Sequence, residues 1–186
     1  MTGSKLKSES LPQLSLVIGG ARSGKSHLAE RLVSAPGHPR IYIATAQAWD
    51  DEMHARIAAH RTDRGPDWQT VEAPRDLGGA LAAVRAGSVV LVDCATLWLT
   101  NHMLAEGDLE AESAALLAAI ACCASPVVVV SNEVGWAIVP ENALARRFRD
   151  AQGRLNQALA RDAGLVIAVI AGLPLVLKGK LPKSMA

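Results

Sequence analysis

The residues best suited to chemistry form a glycine-rich octapeptide near the amino terminus. Residues 19–26 read GGARSGKS and fit the phosphate-loop pattern G-x-x-x-x-G-K-[ST]. In such a loop, backbone N–H groups point at nucleotide phosphates, the lysine neutralises phosphate oxygens and the final hydroxyl ligates Mg²⁺. The predicted nucleotide-binding residues of the loop are Gly19, Gly20, Ala21, Arg22, Ser23, Gly24, Lys25 and Ser26. Of these, we expect Lys25 to be catalytic and Ser26 to bind the metal.

The sequence on both sides of the octapeptide is of the kind that the motif needs. Leu14–Ile18 is a short apolar run typical of a buried strand, and Leu28, Ala29, Leu32 and Val33 recur at helical spacing. A helix that starts at the loop adds the positive end of its dipole to a phosphate site. An ordinary strand-to-helix turn is the alternative interpretation, and this flanking pattern makes it the weaker one.

A second candidate is Asp93, which ends the apolar run Val89–Val92. This is the pattern of a Walker B strand, which delivers a carboxylate to the carboxyl edge of a parallel sheet. There Asp93 would hold Mg²⁺ directly or through water, opposite Ser26. A solvated aspartate at a strand end or a helix cap is the alternative.

Polar and charged residues elsewhere admit two interpretations each. His60 shares one helical face with Met53 and Ile57, a spacing that also fits a partly buried structural histidine. Glu133 follows a buried strand and is either a ligand contact or a capping residue. Two groups of arginines are either anion contacts or solvated helix faces: Arg56, Arg61 and Arg64, and Arg146, Arg147, Arg149 and Arg154.

Apolar runs alternate with helical patterns along the whole chain, which predicts an α/β fold. The predicted strands are Leu14–Ile18, Arg40–Ala44, Gln69–Glu72, Val89–Asp93, Val127–Ser131 and Leu165–Ile170. The predicted helices are about Lys25–Ser34, Asp50–Arg61, Leu77–Arg85, Leu109–Cys123 and Glu141–Ala163. We therefore expect a single P-loop NTPase domain, RecA-like, with a mostly parallel sheet flanked by helices.

Length and composition limit the classes of protein that fit. The 186 residues suit one domain, which we place at 13–186 after a flexible leader at 1–12. The net charge of +1 and the aromatic content of 3% argue against a nucleic-acid partner. Three cysteines, two of them adjacent, form neither a disulfide framework nor a zinc pattern and suit the cytoplasm. No apolar run approaches the roughly 18 residues of a membrane span.

Four segments together resemble one enzyme family, and they span nearly everything after the leader. They are GGARSGKS (19–26), IATAQAWDDEM with the following RI and HR (43–61), VDCATLWLTN (92–101), and SNEVGWAIVPEN with LARRFRD, GR, NQ and LA (131–160). The family is the bifunctional adenosylcobinamide kinase/adenosylcobinamide-phosphate guanylyltransferase of cobalamin biosynthesis. The later segments are much more specific than the phosphate loop.

The resemblance implies two reactions with Mg²⁺ as cofactor. ATP or GTP phosphorylates the hydroxyl of adenosylcobinamide, and GMP then passes from GTP to that phosphate, giving adenosylcobinamide-GDP. Such enzymes use a guanylylated histidine, which the register Met53-x-x-Arg56-Ile57-x-x-His60 places at His60. This implied role replaces the structural interpretation of His60.

The resemblance also implies further nucleotide contacts and a homo-oligomer, for which a trimer is the expected form. Those contacts would be Ala44, Thr45, Ala46, Glu72 and Asp93. As a further hypothesis, we expect residues 61–64 to hold the phosphates of GTP: Arg61, Thr62, Asp63 and Arg64. Asp93 would bind either the metal or the nucleoside. Two other functions remain open: a monofunctional small-molecule kinase, and a RecA-type nucleotide-switched binding module or ATPase.

Overall fold

The computed structural model describes residues 11–34, 38–47, 67–182 and 185. Its strands are β1 (Leu14–Gly19), β2 (Arg40–Ala44), β3 (Trp68–Glu72), β4 (Val89–Asp93), β5 (Val127–Asn132), β6 (Leu165–Ile170) and β7 (Leu173–Lys178). Its helices are α1 (Lys25–Val33), α2 (Leu77–Ala82), α3 (Ala95–Leu104), α4 (Leu109–Cys122) and α5 (Ala143–Asp162). The predicted leader and the predicted helix at 50–61 lie largely or wholly outside these residues. None of the described helices is both long and apolar enough to cross a membrane.

The strands form one sheet in the order β3-β2-β4-β5-β1-β6-β7. The first six strands are mutually parallel, and β7 pairs antiparallel with β6. The phosphate-loop strand β1 is central, and β5 separates it from β4, the strand that carries Asp93. The predicted α/β fold, a mostly parallel sheet flanked by helices with the phosphate loop after a central strand, is confirmed. All carboxyl ends of the parallel strands meet at one edge, where ligands bind in such folds.

The core has two halves because successive side chains of each strand face opposite sides of the sheet. On β5, Val127 and Val129 pack with Trp98 and the helices of one face. Val128 and Val130 pack with α1 on the other face, where Leu32 is buried. Burial on both sides explains why β4 and β5 are continuous apolar runs, and it fixes the edge on which the site residues lie.

Helix α3 and strand β7 were not predicted. Helix α3 buries Trp98, Leu99 and Met103 but also Thr96 and Asn101, so no apolar stripe marks it as helical. Strand β7 is exposed along its length and contains Pro174. Proline has no N–H to donate, and an edge strand tolerates it because one side of the strand needs no partner.

The start of the long helix α5 also differs from the prediction. It begins at Ala143 rather than Glu141, because the Asn142 side chain accepts hydrogen bonds from the N–H groups of Leu144 and Ala145. An asparagine in this position satisfies two otherwise unpaired donors, which is the function of an N-cap.

Candidate functional site

The phosphate loop lies between β1 and α1, as the sequence predicts. Gly24 has a φ of 93° and forms the cap of α1, with its carbonyl accepting from the Leu28 N–H at 3.0 Å. A side chain at Gly24 would be strained in this left-handed conformation. Because α1 begins at Lys25, its first N–H groups lie at the loop and favour an anion there.

The turn between β6 and β7 supports the loop from one side. The Gly172 N–H donates to the Ser23 carbonyl at 2.9 Å. A Cβ added at Gly24 would lie 3.3 Å from the Gly172 Cα, and one added at Gly19 would lie 2.6 Å from the Val169 carbonyl oxygen. These close approaches hold the loop backbone in one conformation, which a site for phosphates requires. The sequence pattern did not predict this turn.

Three predicted nucleotide contacts lie side by side at the carboxyl edge. Ala44 of β2 is in register with Glu72 of β3 and with Asp93 of β4. At about 4.8 Å per strand, Asp93 is two strands or roughly 10 Å from β1, and Glu72 is four strands or roughly 19 Å away. Asp93 is therefore close enough to act with the phosphate loop, whereas Glu72 lies where a more distant part of a substrate would be.

The ends of β2 and β4 are tied together by Thr45, which is fully buried. Its hydroxyl donates to the Cys94 carbonyl and accepts from the Cys94 N–H, each at 2.8 Å. Asn101 of α3 donates to the carbonyls of Thr45 and Pro74, at 2.9 and 2.8 Å. Because both hydrogen bonds of the Thr45 hydroxyl are made to Cys94, this side chain holds the ends of β2 and β4 together beside Asp93.

Cys94 is a buried thiol that follows Asp93 in the chain. Burial, and secondarily the Asp93 carboxylate, raise the pKa of the Cys94 thiol to about 11. The N–H groups of Leu97 and Thr96 and the Lys25 ammonium act in the opposite direction. Lys25 and Asp93 thus both act on this buried side chain. At neutral pH Cys94 is a neutral thiol and therefore a poor nucleophile.

Ser26 and Asp93 have the chemistry of Mg²⁺ ligands. Both offer oxygen, which Mg²⁺ prefers, and Mg²⁺ in nucleotide sites usually has few protein ligands, with phosphates and water completing its shell. In the part of the chain that the structure describes, no cluster of three or more His, Cys, Asp or Glu residues forms a metal cage. The donor set therefore fits a magnesium ion that arrives with a nucleotide.

A buried polar network fixes the point where the chain leaves β5. The Ser131 hydroxyl donates to Asn156 Oδ1 at 2.6 Å, and Gln152 Nε2 donates to both side chains at 2.9 Å. Asn156 also donates to the Asn132 carbonyl at 3.0 Å, while the Asn132 N–H donates to the Thr96 hydroxyl at 2.8 Å. Helix α5, β5 and α3 are thereby held together at the carboxyl edge.

Two of the ambiguous charged residues have local partners in the fold. The Glu133 carboxylate accepts from the Gly135 N–H at 2.7 Å, as a turn-forming residue does. Arg146 donates to the carbonyls of Pro140 and Glu141. Both side chains therefore shape the segment between β5 and α5.

The structure brings together the phosphate loop, Ala44–Ala46 and Asp93, with Glu72 farther along the same edge. His60 and the predicted phosphate contacts at 61–64 (Arg61, Thr62, Asp63 and Arg64) lie outside the described residues. Their roles stay predictions. Asn101 was not predicted as an individual site residue, although it is the last residue of the VDCATLWLTN segment.

Comparison with known proteins gives one consistent result. Residues 15–177 match a family model described as cobinamide kinase / cobinamide phosphate guanyltransferase. The bifunctional adenosylcobalamin biosynthesis protein CobP of Pseudomonas aeruginosa is 47% identical over 168 residues, which are 89% of this chain and 97% of the relative. The corresponding CobU proteins of Escherichia coli and Salmonella typhimurium are 42% and 43% identical, each match covering 88% of this chain and 98% of the relative.

Proposed function

The chain belongs to the cobinamide kinase / cobinamide phosphate guanyltransferase family, and we infer from this membership that it is a bifunctional enzyme of adenosylcobalamin biosynthesis. It phosphorylates cobinamide and then transfers a guanylyl group to the cobinamide phosphate. The observation that carries this conclusion is the match over residues 15–177, which includes the phosphate loop and the whole carboxyl edge. The matches extend over almost the whole length of each relative. The inference therefore covers both activities that the family description names.

In the kinase step, the substrate hydroxyl attacks the γ-phosphorus of ATP or GTP and the nucleoside diphosphate leaves. The proton of the hydroxyl is lost, and a phosphate ester forms. The N–H groups of Gly19–Ser26 and the Lys25 ammonium stabilise the negative charge that develops on the phosphate oxygens. Bound Mg²⁺ would neutralise further charge on these oxygens. Ser26 and Asp93 are the residues that would hold it.

In the transferase step, the neutral imidazole of His60 attacks the α-phosphorus of GTP. The bond to pyrophosphate breaks, and a phosphoramidate between the histidine and GMP forms. A phosphate oxygen of adenosylcobinamide phosphate then attacks the same phosphorus, so that the P–N bond breaks and the imidazole is released. Arg61 and Arg64 would hold the phosphates of GTP. The register of His60 with the family segment supports this assignment.

The enzyme would act in the cytoplasm as a homo-oligomer, with a trimer as the expected form. The surface that supports this proposal is the exposed face of the edge strand β7, which carries the exposed side chains of Leu173, Leu175 and Leu177. Exposed apolar edge strands are typical association sites.

We expect the double variant Leu175→Lys/Leu177→Lys to be smaller than the parent protein in solution, because two charges on this face oppose burial against a second copy. Light scattering after size exclusion gives the mass directly. A parent protein that is already monomeric would contradict the oligomer. If the variant has the same mass as the parent oligomer, β7 is not part of the interface between subunits.

One incubation tests the function. The protein is mixed with adenosylcobinamide, ATP, GTP and Mg²⁺, and the corrinoids are separated and weighed by mass spectrometry. We expect both adenosylcobinamide phosphate and adenosylcobinamide-GDP. The phosphate alone would indicate a monofunctional kinase, and nucleotide hydrolysis stimulated by DNA without corrinoid turnover would indicate a RecA-type module.

Asp93→Asn should lower both activities by at least roughly 10- to 100-fold, the loss typical when a supporting ligand of a metal site is removed. Part of the loss should be recovered at high Mg²⁺, because the amide is a weaker ligand for the ion. Steady-state rates against Mg²⁺ concentration measure this effect. Asp67→Asn is the control, since Asp67 is an exposed carboxylate at the opposite end of β3. Weaker nucleotide binding with an unchanged Mg²⁺ dependence would instead assign Asp93 to the nucleoside.

A further inference from the structure

The segment between β5 and α5, residues 133–142, exposes three large apolar side chains within four positions. Trp136 is 81% exposed, Ile138 is 93% exposed and Val139 is 61% exposed. The other tryptophan of the second half of the chain, Trp98, is buried. A cluster of exposed apolar groups on one loop marks a binding surface more often than it marks chance.

This segment is anchored at both ends and is not a loose loop. The Glu133 N–H donates to the Gly19 carbonyl at 3.0 Å, so the segment starts against the phosphate loop. The Glu133 carboxylate closes a turn on Gly135, and Arg146 holds the Pro140 carbonyl at 2.8 Å. The backbone of the segment is thereby held before any ligand arrives, which lowers the entropic cost of binding.

The position of the segment matches a need of the proposed reaction. Cobinamide is a broad corrin macrocycle with an apolar ring face and amide side chains, and its reacting hydroxyl is at the end of a short arm. The ring must therefore lie within the length of that arm from the phosphates. Gly19 is in register with Asn132 at the end of β5, so the segment leaves the sheet directly beside the phosphate loop.

We propose that residues 133–142 form the corrinoid-binding surface, with Trp136, Ile138 and Val139 in contact with the face of the corrin ring. This inference rests on the proposed function. Among the described residues, this segment fits a substrate better than β7, since β7 starts at the carboxyl edge with Leu173 but carries its other exposed apolar residues away from that edge. The indole of Trp136 and the aliphatic side chains of Ile138 and Val139 would cover the apolar face of the ring, and backbone groups of the segment would pair with the amide side chains of the corrinoid.

The test uses the full-length variants Trp136→Ala and Ile138→Ser. Both side chains are exposed, so the fold should be preserved. We expect the KM for adenosylcobinamide in the kinase reaction to rise about tenfold or more, as for a central aromatic contact. The KM for ATP and the rate of protein guanylylation by GTP alone should stay within about twofold of the parent values, since neither involves the corrinoid.

Leu104→Ala is the matched control, because Leu104 is an exposed apolar residue at the far end of α3. Equilibrium dialysis of adenosylcobinamide, followed by the absorbance of the corrin, measures binding without turnover. An unchanged corrinoid KM and affinity in both variants would overturn the proposal. Variants that form a smaller oligomer than the parent and lose guanylylation would also overturn the proposal, because the segment would then lie between copies of the chain. A parent protein that guanylylates itself but neither binds nor phosphorylates adenosylcobinamide would refute the proposed function itself.

Discussion

Replacing Lys25 by methionine is expected to abolish both activities, with kcat/KM for each falling by about 10²- to 10³-fold or more. The Lys25 ammonium is the cation of the phosphate loop, and its Nζ donates to the Gly20 carbonyl at 3.1 Å. It is therefore already held over the loop backbone before a nucleotide binds. Methionine keeps the length and apolar stem of lysine but removes the charge that stabilises the transferring phosphate.

Both reactions should be lost because one loop is expected to hold the triphosphate in each. The variant should keep its melting temperature within a few degrees, since Lys25 is the first residue of α1, is only half-buried and is not among the buried apolar residues of the helix. Rates of corrinoid phosphorylation and of protein guanylylation, measured separately, check the expectation. A variant that loses only phosphorylation would show that GTP for guanylylation is held by other residues.

Lys178→Met is the matched control. The Lys178 ammonium donates to the carbonyls of Ala160 and Arg161 at the end of α5, where a positive charge stabilises a helix. Its loss should lower the melting temperature and leave both rates at saturating substrate nearly unchanged. The contrast between the two lysines separates loss of chemistry from loss of stability.

The local elements around the nucleotide site follow from sequence because each depends on neighbouring residues. Gly24 is needed where φ is positive, and Val89–Val92 is apolar because both faces of β4 are buried. Helix α3 was not predicted, because its pattern of polar and apolar residues depends on contacts with distant parts of the chain. Its polar residues Thr96 and Asn101 are buried because they bond to β5 and to the end of β2, and such partners are not visible in a helical pattern.

The arrangement of the site depends on contacts between distant parts of the chain. Such contacts could not be predicted from the local pattern of a single sequence. Asn101 meets the Thr45 carbonyl across 56 positions. The adjacency of Glu72, Ala44 and Asp93 requires the order β3-β2-β4, which the hydrophobic pattern leaves undetermined. The resemblance to the family predicted Ala44, Glu72 and Asp93 together as nucleotide contacts. The strand register explains why these three residues are neighbours.

Replacing His60 by alanine should remove guanylylation of the protein and the formation of adenosylcobinamide-GDP while leaving corrinoid phosphorylation near its parent rate. Loss of a covalent nucleophile costs on the order of 10⁴- to 10⁶-fold. Incubation with α-labelled GTP should label the parent protein through a bond that is labile in acid and stable in alkali, as a phosphoramidate is. The variant should carry no label.

His54→Ala is the control for this experiment, because the helical spacing predicts His54 to be off the face that Met53, Ile57 and His60 share. It should label as the parent does. An undiminished adduct in His60→Ala would move the nucleophile to another residue. Because Lys25→Met should stop both reactions and His60→Ala only one, the pair of variants tests whether a single phosphate loop presents the γ-phosphorus to an alcohol and the α-phosphorus to an imidazole. Loss of phosphorylation in His60→Ala as well would mean that the histidine also positions the nucleotide in the kinase step, so the two reactions would share more than the loop.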